Sequence, residues 1–181
     1  MDLDHFKQIR ETADPSKFKL GRWANDDEVS ILTSLAELYQ LRNYFECGTA
    51  NGWSAAHVSC AMGEGANLHS WDVVERAQVP SHYLDRVERH IASFETGVGA
   101  VLSQTRGRKL IFIDGDHTGG APTRDFQAVE KFLRIGDFVV FHDTAGEAPV
   151  ARAVEKVKEW HPRWRFVHHP TRRGVGVFEV Y

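Results

Sequence analysis

Two short apolar segments, each ended abruptly by charged side chains, constrain most strongly what this chain can fold into. Residues 110–113 run directly into Asp114-Gly115-Asp116-His117, and residues 138–141 run into His142-Asp143. Buried parallel strands are near-continuous apolar runs, and open α/β sheets bind their ligands at the carboxyl ends of the strands. The pattern therefore predicts a site at the carboxyl edge of a parallel sheet, and its spacing indicates a divalent metal held between neighbouring strand ends.

Apolar periodicity switches repeatedly between the helical and the strand pattern along the chain. The predicted helices cover residues 2–12, 26–42, Trp53–Met62, 81–91 and 122–133, with one helical turn at 100–103 and a last helix opened by Pro149. The predicted strands cover residues 44–47, 67–74, 93–96, 110–113, 138–141, 165–168 and 175–180. A turn at 170–174 joins the last two as an antiparallel hairpin. This alternation predicts an α/β sheet, mostly parallel with an antiparallel end.

The turn after the first strand carries two glycines, Gly48 and Gly52. Gly48 permits a tight turn and close approach of a ligand, and free N–H groups at the start of the next helix form an anion site. Dinucleotide-binding folds use G-x-G-x-x-G, whereas position 50 here is alanine. With the acid Glu46 before it, the loop suits an amino-acid-bearing nucleoside; an ordinary strand-to-helix turn is the alternative.

Asp72 lies at the predicted end of the second strand, beside Val73. In dinucleotide folds an acid about 20 residues after the glycines accepts hydrogen bonds from the ribose hydroxyls. We therefore expect Asp72 to bind a ribose, with a helix N-cap or a surface acid as the alternative.

Together, the glycine turn, Asp72 and the two acidic strand ends resemble the class I S-adenosylmethionine-dependent methyltransferases. More narrowly, they resemble the metal-dependent small-molecule O-methyltransferases, which include catechol-type and macrolide-sugar-type enzymes. The resemblance covers about residues 26–181. It implies methyl transfer to a small hydroxylated acceptor on a doubly wound, Rossmann-like sheet of about seven strands with an antiparallel C-terminal hairpin strand.

The resemblance also implies where the cofactor binds. Its S-adenosylmethionine site would include Glu46, Gly48, Thr49, Asn51, Gly52, Asp72, Val73 and Asp114. Within this set Glu46, Gly48 and Gly52 would line the methionine end of the cofactor. Asp72 would bind the ribose.

Three metal ligands are implied in the same way, namely Asp114, His142 and Asp143. A divalent cation there would hold an acceptor hydroxyl, lower its pKa and orient it toward the methyl group. The chain departs from the family at His142, where a carboxylate is usual. The ion would be Mg²⁺, or a softer ion such as Mn²⁺, Fe²⁺ or Zn²⁺. Three interpretations stay open: His142 ligates a softer metal, it supports the ligands or moves protons, or the metal has been lost. For Asp143, an N-cap is the alternative.

His117, three residues after Asp114, matches the general-base position of the resembled family. Its ordinary pKa of about 6.5 suits proton removal near neutrality; a histidine satisfied by backbone groups is the alternative. We expect Asp116 to brace the loop or orient His117, and Asp125 to lie on a solvated helix face. The other eight histidines show no ligand spacing.

Composition argues against several partners. The 181 residues carry a formal charge of −3, and the basic cluster at 106–109 is too small for a nucleic-acid footprint. No apolar run approaches the roughly 18 residues of a membrane-spanning helix. Residues 1–6 do not form a signal-peptide pattern, and Cys47 and Cys60 are expected to be reduced, so we expect a cytoplasmic protein.

We expect a single domain, residues 1–181, in which 1–25 form an N-terminal helix and substrate-side segment and 26–181 the core. Acceptor specificity is expected from residues 18–25, including Trp23, and from the loop 144–148. Homo-oligomerisation that closes the site is a further hypothesis.

Two other functions stay open: a nicotinamide oxidoreductase, disfavoured by the incomplete glycine pattern, and a non-catalytic binding protein that keeps the fold.

Overall fold

The computed structural model describes residues 26–181, so the predicted helix at 2–12 and Trp23 lie outside the described residues. The strands are β1 (Asn43–Cys47), β2 (Asn67–Asp72), β3 (Val87–Ile91), β4 (Lys109–Ile113), β5 (Phe138–Phe141), β6 (Arg165–His169) and β7 (Val175–Glu179). The α-helices are α1 (Asp26–Leu38), α2 (Trp53–Met62), α3 (Phe94–Leu102), α4 (Ala121–Glu130) and α5 (Ala148–Trp160).

Within the described residues the strands form a seven-stranded sheet in the order β3-β2-β1-β4-β5-β7-β6. The first five strands pair in parallel, whereas β7 pairs antiparallel with both β5 and β6. The chain winds outward from β1 to β3, returns to β4 beside β1, and then winds outward the other way. This confirms the predicted doubly wound, Rossmann-like sheet with its antiparallel C-terminal hairpin.

Helices cover both faces of the sheet, which explains why its central strands are apolar throughout. Leu110 and Phe112 of β4 belong to the core shared with α1 and α2. Ile111 and Ile113 point the opposite way and belong to the core shared with α3, α4 and α5. Because successive strand residues face opposite sides, both layers bury apolar side chains from one strand.

The predicted helix at 81–91 is wrong. The chain forms a 3₁₀ turn at Ser81–Tyr83 and then β3, an edge strand paired with β2. Leu84 and Val87 are both buried, which fits a helical face, but Ile91 is 55% exposed. The open edge of β2 supplies hydrogen-bonding partners that an isolated helix here would lack.

The predicted strand at 93–96 is also wrong, because Phe94 begins the helix α3, whereas the predicted helical turn at 100–103 is confirmed as the end of that helix. Phe94, Val98 and Leu102 recur every four residues and are buried, which is the helical signal. Glycines interrupt that signal in the sequence. Gly97 is needed where it is, since a Cβ there would lie 2.7 Å from the indole Nε1 of Trp71.

The remaining elements predicted within residues 26–181 are present. The helix Trp53–Met62 and the strand Phe138–Phe141 have the predicted bounds, whereas the first described helix ends at Leu38 and α4 ends at Glu130. Within residues 26–181, no helix has both the length and the apolar character required to cross a bilayer.

Candidate functional site

A cavity of about 580 Å³ opens where the winding of the sheet reverses, at the carboxyl ends of β1 and β4. This is the position at which doubly wound sheets bind their ligands, and the volume suits a small molecule. Seven predicted site residues line it: Gly48, Asp72, Val73, Asp114, His117, His142 and Asp143. The other predicted cofactor residues, Glu46, Thr49, Asn51 and Gly52, are not among the described residues that line it.

Gly48 and Gly115 allow the two central strand ends to come close together. Gly48 has φ 97°, and a Cβ there would lie 2.2 Å from the carbonyl oxygen of Asp114. A Cβ on Gly115 would lie 2.5 Å from Sγ of Cys47. Neither position has room for a side chain, so the glycines set the width of the cavity floor.

Glu46 is fully buried and lies behind the residues that line the cavity. Its carboxylate accepts hydrogen bonds from the hydroxyls of Tyr44, Ser54 and Ser70. Burial raises the pKa of Glu46 to about 7, although the three hydroxyl donors oppose that shift. The side chain therefore ties α2 and β2 to β1 and shapes the glycine turn from behind.

Three further residues of the predicted cofactor site, Thr49, Asn51 and Gly52, lie in this turn. The hydroxyl of Thr49 lies 2.6 Å from that of Ser70. The Asn51 side chain accepts a hydrogen bond from the Trp53 amide at 3.1 Å, and Gly52, with φ 84°, caps the start of α2.

Asp72 lines the cavity, but its carboxylate already has several partners. It accepts hydrogen bonds from the amides of Ala50 (2.9 Å) and Val74 (3.1 Å) and from the guanidinium of Arg76 (3.0 Å). Burial would raise the pKa of Asp72, but these donors outweigh burial and lower it. Arg76 therefore shares the carboxylate that the sequence assigns to a ribose.

His142 is held between carboxylates on both sides of its ring. Nδ1 lies 2.9 Å from Oδ1 of Asp114, and Nε2 lies 2.9 Å from Oε2 of Glu28. Burial would lower the pKa of His142, but the carboxylates of Asp114, Asp143 and Glu28 raise it to about 12. A carboxylate only accepts, so both ring nitrogens carry protons and neither offers a lone pair to a metal. The geometry favours the interpretation in which His142 supports the neighbouring acids.

Asp143 adopts φ 59°, a left-handed backbone conformation that aspartate tolerates better than most residues. Its carboxylate lies 3.0 Å from the guanidinium of Arg173, in the loop between β6 and β7. Burial would raise the pKa of Asp143, but His142 and Arg173 lower it, so the group is a carboxylate at neutral pH. The sequence did not identify Arg173 as a site residue, because nothing in its spacing connects it to β5.

His117 faces both strand-end acids. Its Nε2 lies 3.5 Å from Oδ1 of Asp114, and its Nδ1 lies 3.5 Å from Oδ2 of Asp143. These separations are at the limit of hydrogen bonding, and the attraction to Asp114 raises the pKa of His117 despite partial burial. Potential ligand atoms of these three residues lie within 4.8 Å of one another.

Two further acids belong to the site. Glu28, on α1, holds His142 from behind, and no local pattern marks it. Asp125 is buried and lines the cavity, so its predicted place on a solvated helix face is wrong. Burial raises the pKa of Asp125 to about 6. The missed signal is its spacing of four residues from both Ala121 and Val129, which are buried on the same face of α4.

The sequence matches a family model described as a methyltransferase domain over residues 45–144, more than half of the chain. This segment begins in β1 and ends just after Asp143, so it contains the glycine turn and both acidic strand ends. A search of curated proteins returned no match.

Solved structures of methyltransferases have the same fold. An O-methyltransferase from Bacillus cereus, in complex with S-adenosylhomocysteine (SAH), is 15% identical with a TM-score of 0.69, over 97% of this chain and 90% of that one. The O-methyltransferase TomG from Streptomyces achromogenes, involved in tomaymycin synthesis and in complex with S-adenosylmethionine, is 17% identical with a TM-score of 0.71, over 99% and 90%. The SAH-bound methyltransferase PaMTH1 from Podospora anserina is 13% identical with a TM-score of 0.69, over 99% and 87%.

Proposed function

The chain belongs to the methyltransferase domain family of class I S-adenosylmethionine-dependent enzymes, and on that basis we propose that it methylates a hydroxyl group of a small acceptor. The observation that carries the proposal is the arrangement around His117. A group able to take a proton lies between two carboxylates, at one end of a cavity that begins at the glycine turn. The structural neighbours named as O-methyltransferases support transfer to oxygen.

The residues that line the cavity would hold S-adenosylmethionine, the methyl donor, with its nucleoside near β2 and its sulfonium near β4. Asp72, Val73 and Phe94 line the β2 side, where Phe94 offers an apolar surface for a base. Gly48 and Asp114 lie at the junction of the strands. The backbone at Gly48 lets the methionine part approach closely, while Glu46 holds the turn in shape from behind.

The transfer itself needs positioning and one proton acceptor. The acceptor oxygen attacks the methyl carbon, the carbon–sulfur bond breaks, and S-adenosylhomocysteine leaves with the bonding electron pair. His117 takes the hydroxyl proton, and the carboxylates of Asp114 and Asp143 stabilise the imidazolium that forms. His142 and Arg173 fix both carboxylates in position, so that little reorganisation accompanies the proton transfer.

A divalent metal fits this donor set. Asp114, His117 and Asp143 offer ligand atoms within 4.8 Å of one another, and the buried Nε2 of His117 has no hydrogen-bond partner among the described residues. These three residues would hold the ion, and His142 would stay outside its coordination sphere. When bound, the ion would lower the pKa of the acceptor hydroxyl. In that case His117 would serve as a ligand of the ion, and the hydroxyl proton would pass to solvent.

A small acceptor is favoured over a nucleic acid by charge. The chain carries a formal net charge of −3, and two of the side chains that line the cavity near His117 are the carboxylates of Asp114 and Asp143. A polyanion would be repelled there, whereas an uncharged or cationic hydroxylated molecule would not.

Calorimetric titration with S-adenosylhomocysteine and, separately, with NAD tests the class of cofactor. We expect binding of the first and none of the second; binding of NAD alone would point to an oxidoreductase.

Transfer of a labelled methyl group to a panel of hydroxylated small molecules tests the reaction. Repeating the active assay after chelation, with and without added Mg²⁺ or Mn²⁺, tests the metal. Unchanged activity after complete chelation would remove the metal from the proposal and leave methyl transfer intact.

A further inference from the structure

A second cluster of metal-ligating side chains lies on the opposite flank of the sheet, between β2 and the edge strand β3. Parallel pairing sets His69 opposite Glu88 and Trp71 opposite His90. Nδ1 of His69 lies 3.1 Å from Nε2 of His90 and 3.5 Å from Oε2 of Glu88. Nε2 of His90 lies 3.7 Å from Oε1 of Glu88. Two imidazoles and a carboxylate therefore converge, although 21 residues separate the histidines along the chain.

A chain of hydrogen bonds fixes which nitrogen of His69 carries the proton. The side-chain amide of Asn43 donates to the carbonyls of Arg106 and Arg108, both at 2.9 Å, so its oxygen faces the other way. That oxygen accepts from the amide nitrogen of Asn67 at 3.3 Å. The oxygen of Asn67 is then 2.7 Å from Nε2 of His69, which must donate to it. His69 therefore presents the lone pair of Nδ1 toward His90 and Glu88.

This is the arrangement that a metal-binding histidine requires. Histidines that ligate metals usually donate their second ring N–H to a neighbouring acceptor, which fixes the tautomer and the orientation of the ring. Burial lowers the pKa of His69, although Glu88 opposes that shift. His69 is buried, whereas the side chain of Glu88 is 66% exposed, so an ion can enter from solvent.

The spacing of the donors matches a tetrahedral ion. Zinc bonds of about 2.0–2.1 Å to nitrogen and oxygen place neighbouring ligand atoms roughly 3.3–3.4 Å apart. The three separations here are 3.1, 3.5 and 3.7 Å. Two imidazoles favour zinc and its neighbours over magnesium or calcium, which prefer oxygen ligands. We propose that His69, Glu88 and His90 form a binding site for Zn²⁺ or a similar first-row transition-metal ion, with water completing the coordination.

An ion at this position would join the edge strand to the rest of the sheet and would adjoin the large cavity. β3 has only five residues and pairs on one side with β2. The ring of His90 stacks on Trp71, with centroids 4.2 Å apart and planes 12° from parallel. Trp71 in turn lines the cavity, so an ion bound to His90 lies one aromatic layer behind its wall.

Zinc titration by calorimetry tests the site without use of catalytic activity. The His117→Gln background removes one donor of the other cluster, so that binding reports on the β2–β3 site. We expect one equivalent of Zn²⁺ in this background and none after adding His90→Gln or Glu88→Gln. Glu88 is exposed, so its substitution keeps the fold, which circular dichroism checks. The matched control is His82→Gln, at an exposed histidine in the 3₁₀ turn that precedes β3, and this variant should bind zinc unchanged.

Two further measurements sharpen the test. Asn67→Ala removes the acceptor that sets the tautomer of His69 and should weaken zinc binding by ~10–100-fold. Co²⁺ should quench tryptophan fluorescence through Trp71 in the background protein and not in the His90→Gln protein. The proposal is overturned if zinc fails to bind at micromolar concentration, or if binding persists undiminished in both the His90→Gln and the Glu88→Gln proteins. Either result leaves the methyltransferase proposal untouched.

Discussion

Nε2 of His142 lies 2.9 Å from Oε2 of Glu28, across 114 residues of chain. The other oxygen of Glu28 accepts from the hydroxyl of Thr171 at 3.0 Å and from the amide of Arg173 at 3.2 Å. One buried carboxylate thus joins α1, the end of β5 and the loop between β6 and β7. The strand-end acids are held by a network built from three distant parts of the chain.

The charge on His142 should make stability depend on pH. The folded chain, with a His142 pKa of about 12, keeps a proton that the unfolded chain releases above pH 6.5. The stabilising contribution is therefore complete below pH 6.5 and is lost as the pH rises from there toward 12. Between pH 7 and 8.5, this group alone should lower the free energy of unfolding by ~1.4 kcal/mol per pH unit.

Urea unfolding of the wild-type and His142→Gln proteins at several pH values in that range measures the effect. The difference between the two proteins isolates His142, since Glu46, whose pKa is also raised, contributes to both. Equal slopes in the two proteins would contradict a buried imidazolium.

The sequence predicted the acids of this network but not what holds them. Asp114 and Asp143 follow apolar runs whose pattern identifies them as strand ends. Glu28 has no such mark, because its partner is fixed only when α1 packs against the completed sheet. The pairing is a tertiary contact with a separation of 114 residues, and local propensity carries no information about it.

His117 is the proposed proton acceptor, so His117→Gln should reduce turnover by ~10²–10⁴-fold while leaving the affinity for S-adenosylhomocysteine unchanged. Because the pKa of His117 is raised above 6.5, the wild-type rate should increase with pH through a midpoint above that value. Methyl-transfer assays from pH 6 to 9 measure both effects. His82→Gln serves as the control, and a rate that is independent of pH would argue against His117 as the base.

Substituting Gly48 and Gly65 separately tests whether the close approach of the central strands requires a glycine at position 48. Both have positive φ, 97° and 74°, but a Cβ on Gly65 meets nothing within 4 Å, whereas one on Gly48 meets a backbone oxygen. Gly65→Ala should cost only the left-handed strain, ~1–2 kcal/mol. Gly48→Ala should cost a further ~1–3 kcal/mol from the clash and should abolish cofactor binding. Equal unfolding free energies and intact binding would show that the strands can separate freely.

The errors in the predicted fold cluster in residues 81–96, and the larger of them, the helix predicted at 81–91, has its cause in the edge strand β3. Val87 is the only fully buried residue of β3, so the alternation that marks a strand is missing, while Leu84 and Val87, three residues apart, have helical spacing. The choice between helix and strand depends on whether β2 has an open edge, which is a property of the assembled sheet. The convergence of His69 and His90 could not be predicted for the same reason, because the two side chains come together only when β3 pairs with β2.

A buried ion pair at the amino ends of β4 and β5 should stabilise the fold, and the effects of removing its two charges should depend on each other. Nζ of Lys109 lies 3.0 Å from Oδ2 of Asp137, and both side chains are almost completely buried. Asp137 also accepts hydrogen bonds from the amides of Lys109 and Arg134, both at 2.8 Å. Lys109→Met leaves an unpaired buried carboxylate and should cost ~3–5 kcal/mol.

The double variant Lys109→Met/Asp137→Asn removes both charges and should therefore lose less than the sum of its single variants. We expect a coupling energy of at least ~1.5 kcal/mol from urea unfolding of the four proteins in the cycle. The half-exposed pair Arg89 and Glu75, 2.8 Å apart, is the control, because water screens it and its coupling should stay below ~1 kcal/mol. Additive losses at Lys109 and Asp137 would mean that the two charges stabilise the fold independently, through their separate contacts with the backbone.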